Sequence, residues 1–72
     1  MNDTFFIIET ITGDCYVGKM CFCWKGLNLT SDPIQIGNIY IPFANIDYVK
    51  VNVPFREFME TCEHKRIIKC KL

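Results

Sequence analysis

Short runs of β-branched and aromatic residues, separated by turn residues, fill most of the first 53 positions and restrict the fold more than any other feature. Residues 5–11 are rich in Phe, Ile and Thr and end at the turn signal Thr-Gly-Asp of residues 12–14. Residues 15–24 form a second run. As a strand, it would place the Tyr, Gly, Met, Phe and Trp of its even positions on one face and the Cys, Val and Lys of its odd positions on the other. These two runs predict a first β-hairpin.

Three further strands are predicted after the hairpin, over residues 27–31, 38–41 and 46–53. The breaks between them fall at Asp-Pro in residues 32–33 and at Pro-Phe-Ala-Asn in residues 42–45, which are turn-forming sequences. Five short antiparallel strands in so few residues favour a mainly β fold, namely a small, strongly bent, five-stranded barrel of the SH3-like or OB type.

The period of the apolar residues changes after Pro54. Phe55, Phe58, Met59 and Cys62 are spaced i, i+3, i+4 and i+7 and form one apolar stripe of a helix. Proline suits the first turn of a helix, because it has no N–H to leave unpaired there. We therefore predict a short C-terminal helix over residues 54–65 that covers the barrel, with a partner-binding helix as the alternative.

The length of 72 residues fits one domain, 1–72, made of the barrel (5–53), the helix (54–65) and a basic tail (66–72). A core of this size rarely gives more than about 3 to 5 kcal/mol, so disulfides, a metal or subunit association are expected to support it. Five cysteines are an odd number, and no signal peptide precedes the first strand. These features predict a reduced, cytoplasmic protein, and the longest apolar runs are too short to predict a membrane partner.

The charges exclude a general nucleic-acid coat protein, because eight basic and eight acidic residues cancel. Their distribution is uneven: residues 1–47 carry two basic and five acidic residues, whereas residues 48–72 carry six and three. The terminal segment holds Lys65, Arg66, Lys69 and Lys71 without an acid. A solvated tail is the first interpretation of this run, and a nucleic-acid contact is the second.

Metal binding and catalysis find little support in the sequence. Cys21, Cys23, Cys62 and His64 could supply four zinc ligands, but neither pair has the Cys-x2-Cys spacing of common zinc sites. The single histidine has no serine or cysteine partner in a recognisable motif, and no glycine-rich phosphate loop is present. We predict no enzyme, no metal, no cofactor and no small-molecule substrate.

Apolar strands at 38–41 and 46–53 would leave an unpaired ladder of backbone groups at the edge of a single copy. Head-to-tail pairing of neighbouring subunits into a closed ring removes such edges. We therefore predict a homo-oligomer. The residues expected at the subunit interface are Ile39, Ile41, Tyr48, Val49 and Val51.

The glycine and asparagine spacing resembles that of the Sm and Sm-like (LSm) family. The first motif of that family is matched by residues 8–13, 16–20 and 27–29, with five residues from Gly13 to Gly18 and ten from Gly18 to Asn28. The hydrophobic frame of its second motif is matched by residues 39–41, Ile46 and Val49. The resemblance covers about residues 5–53 and implies an Sm-like barrel.

The sequence also departs from the family pattern. Trp24 stands at the usual acidic position, Gly26 stands at the base-stacking position, and Pro42-Phe43 replaces the expected Arg-Gly. Of the residues that shape the uridine pocket of the family, Asn28 carries over cleanly.

The resemblance implies a ring of about five to seven copies that binds single-stranded, often U-rich RNA. Asn28 is the candidate for reading a base edge, Trp24 or Phe43 for stacking, Lys25 for phosphate, and Asn45 as a second amide. Asn28 also has a purely structural interpretation as a turn residue, and Trp24 and Phe43 also suit a core or an interface. The alternative function is an Sm-like protein-interaction or scaffold module that has lost the RNA pocket.

Overall fold

The computed structural model describes residues 4–20 and 26–69. Within them, seven strands, one 3₁₀ turn (Phe43–Asn45) and one helix, α1 (Phe55–His64), follow one another. The strands are β1 (Thr4–Thr10), β2 (Asp14–Lys19), β3 (Leu27–Asn28), β4 (Ile34–Ile36), β5 (Ile39–Ile41), β6 (Ile46–Pro54) and β7 (Arg66–Lys69).

The strands form two sheets. One has four strands in the order β6-β1-β2-β7, and the other has three in the order β3-β4-β5. All neighbours are antiparallel except β2 and β7, which are parallel. The mainly β class is therefore confirmed, whereas a closed barrel is not, because no hydrogen-bonded strand pair joins the two sheets in the described part of the chain.

Strand β1 is the centre of the molecule, since it is buried on both faces. Phe6 and Ile8 point toward the three-stranded sheet, and Ile7 points the other way, toward α1. The layers are therefore sheet, sheet and helix, with a core cluster on each side of β1. The first cluster contains Phe6, Ile8, Ile34, Ile36 and Ile41, and the second contains Ile7, Cys15, Val17 and Val53.

Strand β6 is irregular. Phe5 lies opposite Val53, but Ile7 lies opposite Lys50, so β6 has one extra residue that bulges out of the pair. Asn52, within the bulge, has a φ of 55°, a left-handed conformation that asparagine tolerates better than most residues. Strict alternation along β6 would place Val53 on the same face as the exposed Val49 and Val51, but the bulge turns Val53 to the buried side.

Helix α1 agrees with the predicted range of 54–65 to within one residue at each end. Phe58 stacks on Phe5 with ring centroids 4.0 Å apart, which fixes the helix on the four-stranded sheet. The helix therefore covers a sheet, as the first interpretation of its apolar stripe required. Phe55 and Met59 stay 60% and 42% exposed.

The prediction of a basic tail is wrong for residues 66–69, which form β7 and pair with β2. Ile67 packs against the buried cluster around Cys15, and Arg66 Nε lies 2.7 Å from Asp14 Oδ1. Apolar packing and this ion pair hold the segment in the sheet. Residues 70–72 lie outside the described residues.

Strand β4 was not predicted as a strand, because only three residues separate Pro33 from Gly37. Strand β2 ends at Lys19, and residues 21–24 of the predicted run lie outside the described residues. Among the residues described, no helix combines the length and the apolar character that crossing a bilayer requires.

Candidate functional site

Asn28 is exposed at the end of β3 and takes part in a local turn. Its Oδ1 accepts hydrogen bonds from the backbone N–H and the hydroxyl of Thr30, both at 3.1 Å. This is the turn role that the sequence left open. A base-edge role would therefore have to use the amide NH₂ group.

Phe43 lies in the 3₁₀ turn and is 46% exposed. Its backbone N–H donates a 3.0 Å hydrogen bond to Asp32 Oδ1, which fixes the position of the turn. The aromatic ring borders a shallow apolar groove of about 310 Å³, so it is accessible to a ligand or to another protein. The groove is lined by Leu29, Ile34, Phe43, Ile46 and Val49.

Asn45 ends the same turn but lines a different cavity, of about 250 Å³, beside the β1–β2 turn. Its N–H donates to the carbonyl of Pro42, and its carbonyl accepts from the N–H of Ile11, both at 2.9 Å. The structure therefore places Phe43 and Asn45 in two separate depressions. Trp24 and Lys25 lie outside the described residues.

The residues predicted at the subunit interface differ in accessibility. Ile41 is 5% exposed and packs in the core of the chain itself, so its side chain is not available to a neighbour. Ile39 and Tyr48 are half-buried and pack against the two core clusters. Val49 and Val51 are at the surface, 37% and 48% exposed.

Tyr40 is a surface residue that sequence reasoning missed. It is 60% exposed and lines the cavity that holds Asn45. Ile39 packs against the core and Ile41 is part of it, so the residue between them points the other way. The alternation along β5 was the signal that could have identified it.

A buried carboxylate joins β1 to the end of α1. Glu9 is 8% exposed, and its Oε1 accepts a hydrogen bond of 3.0 Å from Lys65 Nζ. This bond lowers the pKa of Glu9, against the opposing effect of burial, and Tyr48 lowers it further by hydrogen bonding. Burial, followed by the hydrogen bond to Glu9, raises the pKa of Tyr48 to about 12. The three groups form a satisfied structural link.

The Glu9 link predicts a specific pH dependence. The pKa of Glu9 is lower in the folded protein than in the unfolded chain. The contribution of Glu9 to stability is therefore present above its ordinary pKa of 4.5 and is lost as the pH falls through its lowered pKa in the folded protein. Glu9 raises the pKa of Lys65. The contribution of Lys65 to stability is therefore present below its ordinary pKa of 10.5 and is lost as the pH rises through its raised pKa in the folded protein. We expect Glu9→Gln to lower the melting temperature at neutral pH and to flatten its decline below pH 4.5.

Thermal unfolding followed by circular dichroism over a pH series measures this effect. Glu60→Gln, on an exposed position of α1, is the matched control, and its curve should follow that of the wild type. If the melting temperature of Glu9→Gln declined below pH 4.5 as steeply as that of the wild type, the link would contribute nothing to stability.

The cysteines do not assemble a metal centre in the described part of the chain, where no group of three or more His, Cys, Asp or Glu side chains could hold an ion. Cys15 is fully buried, and burial raises the pKa of its thiol. Such a thiol stays protonated and packs as a small apolar group. Cys21 and Cys23 lie outside the described residues.

In comparisons with known proteins, no family model matches the chain, and no curated protein or solved structure matches it.

Proposed function

We propose that this chain is an Sm-like RNA-binding protein that assembles into a homo-oligomeric ring and binds single-stranded, U-rich RNA. The observation that carries the proposal is a pair of open sheet edges. Strand β6 pairs with β1 alone and β5 pairs with β4 alone, so each ends its sheet in the described residues. Exposed apolar side chains, Val49 and Val51, accompany the longer of these edges.

Open edges of this kind favour association, because their unpaired N–H and C=O groups can pair with another strand. Pairing β5 of one copy with β6 of the next would use two different surfaces of each chain. Such a head-to-tail contact generates a ring when the rotation closes. The family resemblance supplies the expected size of about five to seven copies.

A ring would multiply weak RNA contacts. Each copy would present Asn28, Phe43 and Asn45, with Trp24 and Lys25 retained on sequence grounds. Aromatic stacking and amide hydrogen bonds tolerate many sequences, and repeated sites on one strand gain from high effective concentration. Useful affinity would then not require the strongly basic surface that this neutral chain lacks.

Titration of the protein into a labelled oligouridine, followed by fluorescence anisotropy at low and high salt, tests the function. We expect the affinity to fall as salt is raised, because bound phosphates release counterions. Asn28→Asp should bind oligouridine more weakly than the wild type, since it keeps the acceptor for Thr30 but removes the amide donor. Asn38→Asp, on an exposed turn, controls for the added charge. Unchanged affinity in Asn28→Asp would remove Asn28 from the site.

The second candidate function is a protein-interaction module. The apolar groove beside Phe43 and the net charge of zero favour it. An apolar protein interface would be insensitive to the salt change that weakens RNA binding. Absence of oligouridine binding at low salt would therefore favour this candidate.

A further inference from the structure

The cavity that contains Asn45 lies where the β1–β2 turn meets the chain between β5 and β6. It measures about 250 Å³ and is open to solvent. Its walls combine two tyrosines, hydroxyl groups, an amide and a carboxylate. The polar and aromatic residues of these walls are Thr10, Thr12, Asp14, Tyr16, Tyr40 and Asn45.

Two of these walls suit a nucleobase. Tyr40 is 60% exposed, so a large part of its side chain is accessible to a planar ligand. The Asn45 side chain is exposed and carries both an acceptor and a donor, which can pair with the edge of a base. An aromatic residue and an amide in one cavity give base recognition without a strong electric field.

A guanidinium group lies beside the same cavity, in contact with two residues that line it. Arg66 Nε is 2.7 Å from Asp14 Oδ1, and the Arg66 NH2 group donates a 3.2 Å hydrogen bond to the carbonyl of Thr12. Both partners line the cavity, and the Arg66 side chain is 69% exposed. Guanidinium has five N–H donors, so donors beyond these two contacts can reach a phosphate.

The cavity is held in shape by its own hydrogen bonds. The hydroxyl groups of Thr10 and Thr12 lie 2.8 Å apart, and the N–H of Asp14 donates to the Thr10 hydroxyl at 3.2 Å. The bond from Ile11 N–H to the carbonyl of Asn45 ties the β1–β2 turn to the 3₁₀ turn. A preorganised site loses less free energy to ordering when a ligand binds.

We infer that this cavity binds one nucleotide of single-stranded RNA, with the base stacked on Tyr40 and paired with Asn45, and with the phosphate on Arg66. The inference rests on the proposed RNA function and assigns it a site that is separate from Asn28 and from the groove beside Phe43. A base-sized cavity with an aromatic wall and an adjacent guanidinium group matches one nucleotide better than it matches an extended peptide.

Anisotropy titrations with a labelled oligouridine, and chemical-shift titrations of the Asn45 side-chain amide with uridine monophosphate, test the assignment. We expect Tyr40→Ala to weaken oligouridine binding by about 5- to 150-fold, the range for loss of one base–aromatic stack. Tyr40→Phe keeps the ring and should bind close to wild type. Arg66→Lys should weaken oligouridine binding more than Tyr40→Phe does, since a single ammonium group replaces the planar guanidinium fork.

The outcomes separate the two proposals. If oligouridine binds wild type and Tyr40→Ala equally, the cavity is not the nucleotide site, although the RNA function stands. If oligouridine does not bind but the monophosphate shifts the Asn45 signal and Tyr40→Ala abolishes the shift, the cavity binds a free nucleotide and not RNA, so the RNA function and the inference that rests on it both fail. If only an acidic peptide shifts that signal, the inference is wrong.

Discussion

Replacing Phe6 by alanine is expected to lower the free energy of unfolding by about 3 to 5 kcal/mol, the cost of truncating a buried phenylalanine. Phe6 is 0% exposed on the central strand and packs against the three-stranded sheet. Its cross-strand neighbour is Gly18, which has no side chain to fill the space left behind. Because a domain of this size has about 3 to 5 kcal/mol in total, the variant should be largely unfolded at 25 °C.

Urea denaturation followed by circular dichroism measures the loss, and Phe55→Ala is the matched control. Phe55 is 60% exposed, so the same substitution there should cost less than about 1 kcal/mol. Ile8→Val, in the same core cluster as Phe6, gives a measurable intermediate of about 0.5 to 1.5 kcal/mol if Phe6→Ala does not fold. Equal losses in Phe6→Ala and Phe55→Ala would contradict the placement of β1 between two layers.

Replacing Val51 by lysine is expected to separate the proposed ring into single chains. Val51 lies on the edge strand β6, is 48% exposed and belongs to neither buried cluster. A lysine on a sheet edge opposes strand pairing, because its charge would have to be buried against the neighbour. The fold of each chain should survive, since no core contact is removed.

Light scattering on a size-exclusion column measures this change in mass. Met59→Lys is the control, because Met59 is 42% exposed and lies on α1 rather than on the edge strand. We expect Met59→Lys to keep the mass of the wild type. Wild-type mass in Val51→Lys would place the subunit contact elsewhere.

The strands and the helix were predictable where a local pattern is long enough. Local patterns identified three features: the turn at residues 12–14, the long run that forms β6, and the i, i+3, i+4, i+7 stripe of α1. The strand β7 was not, because its pairing with β2 joins segments about fifty residues apart and only Ile67 and Ile68 are apolar in it. The bulge at Asn52 has no local signature either, since it follows from fitting β6 onto a β1 buried on both faces.

The candidate site was predictable residue by residue but not as an arrangement. Asn28, Phe43 and Asn45 are at the surface as their nominated roles require, but only the fold shows that Phe43 and Asn45 line different depressions. The contacts of Glu9 with Lys65 and of Asp14 with Arg66 join opposite ends of the chain. No spacing rule reveals such pairs, because they depend on the position of β7.

The native mass of the wild-type protein, measured by light scattering under reducing conditions with nucleic-acid and protein absorbance recorded on the same peak, tests the central claim most directly. The proposal predicts a mass of about five to seven chains, with excess nucleic-acid absorbance from bound RNA. A clean single-chain mass without that absorbance would contradict both the ring and the RNA function.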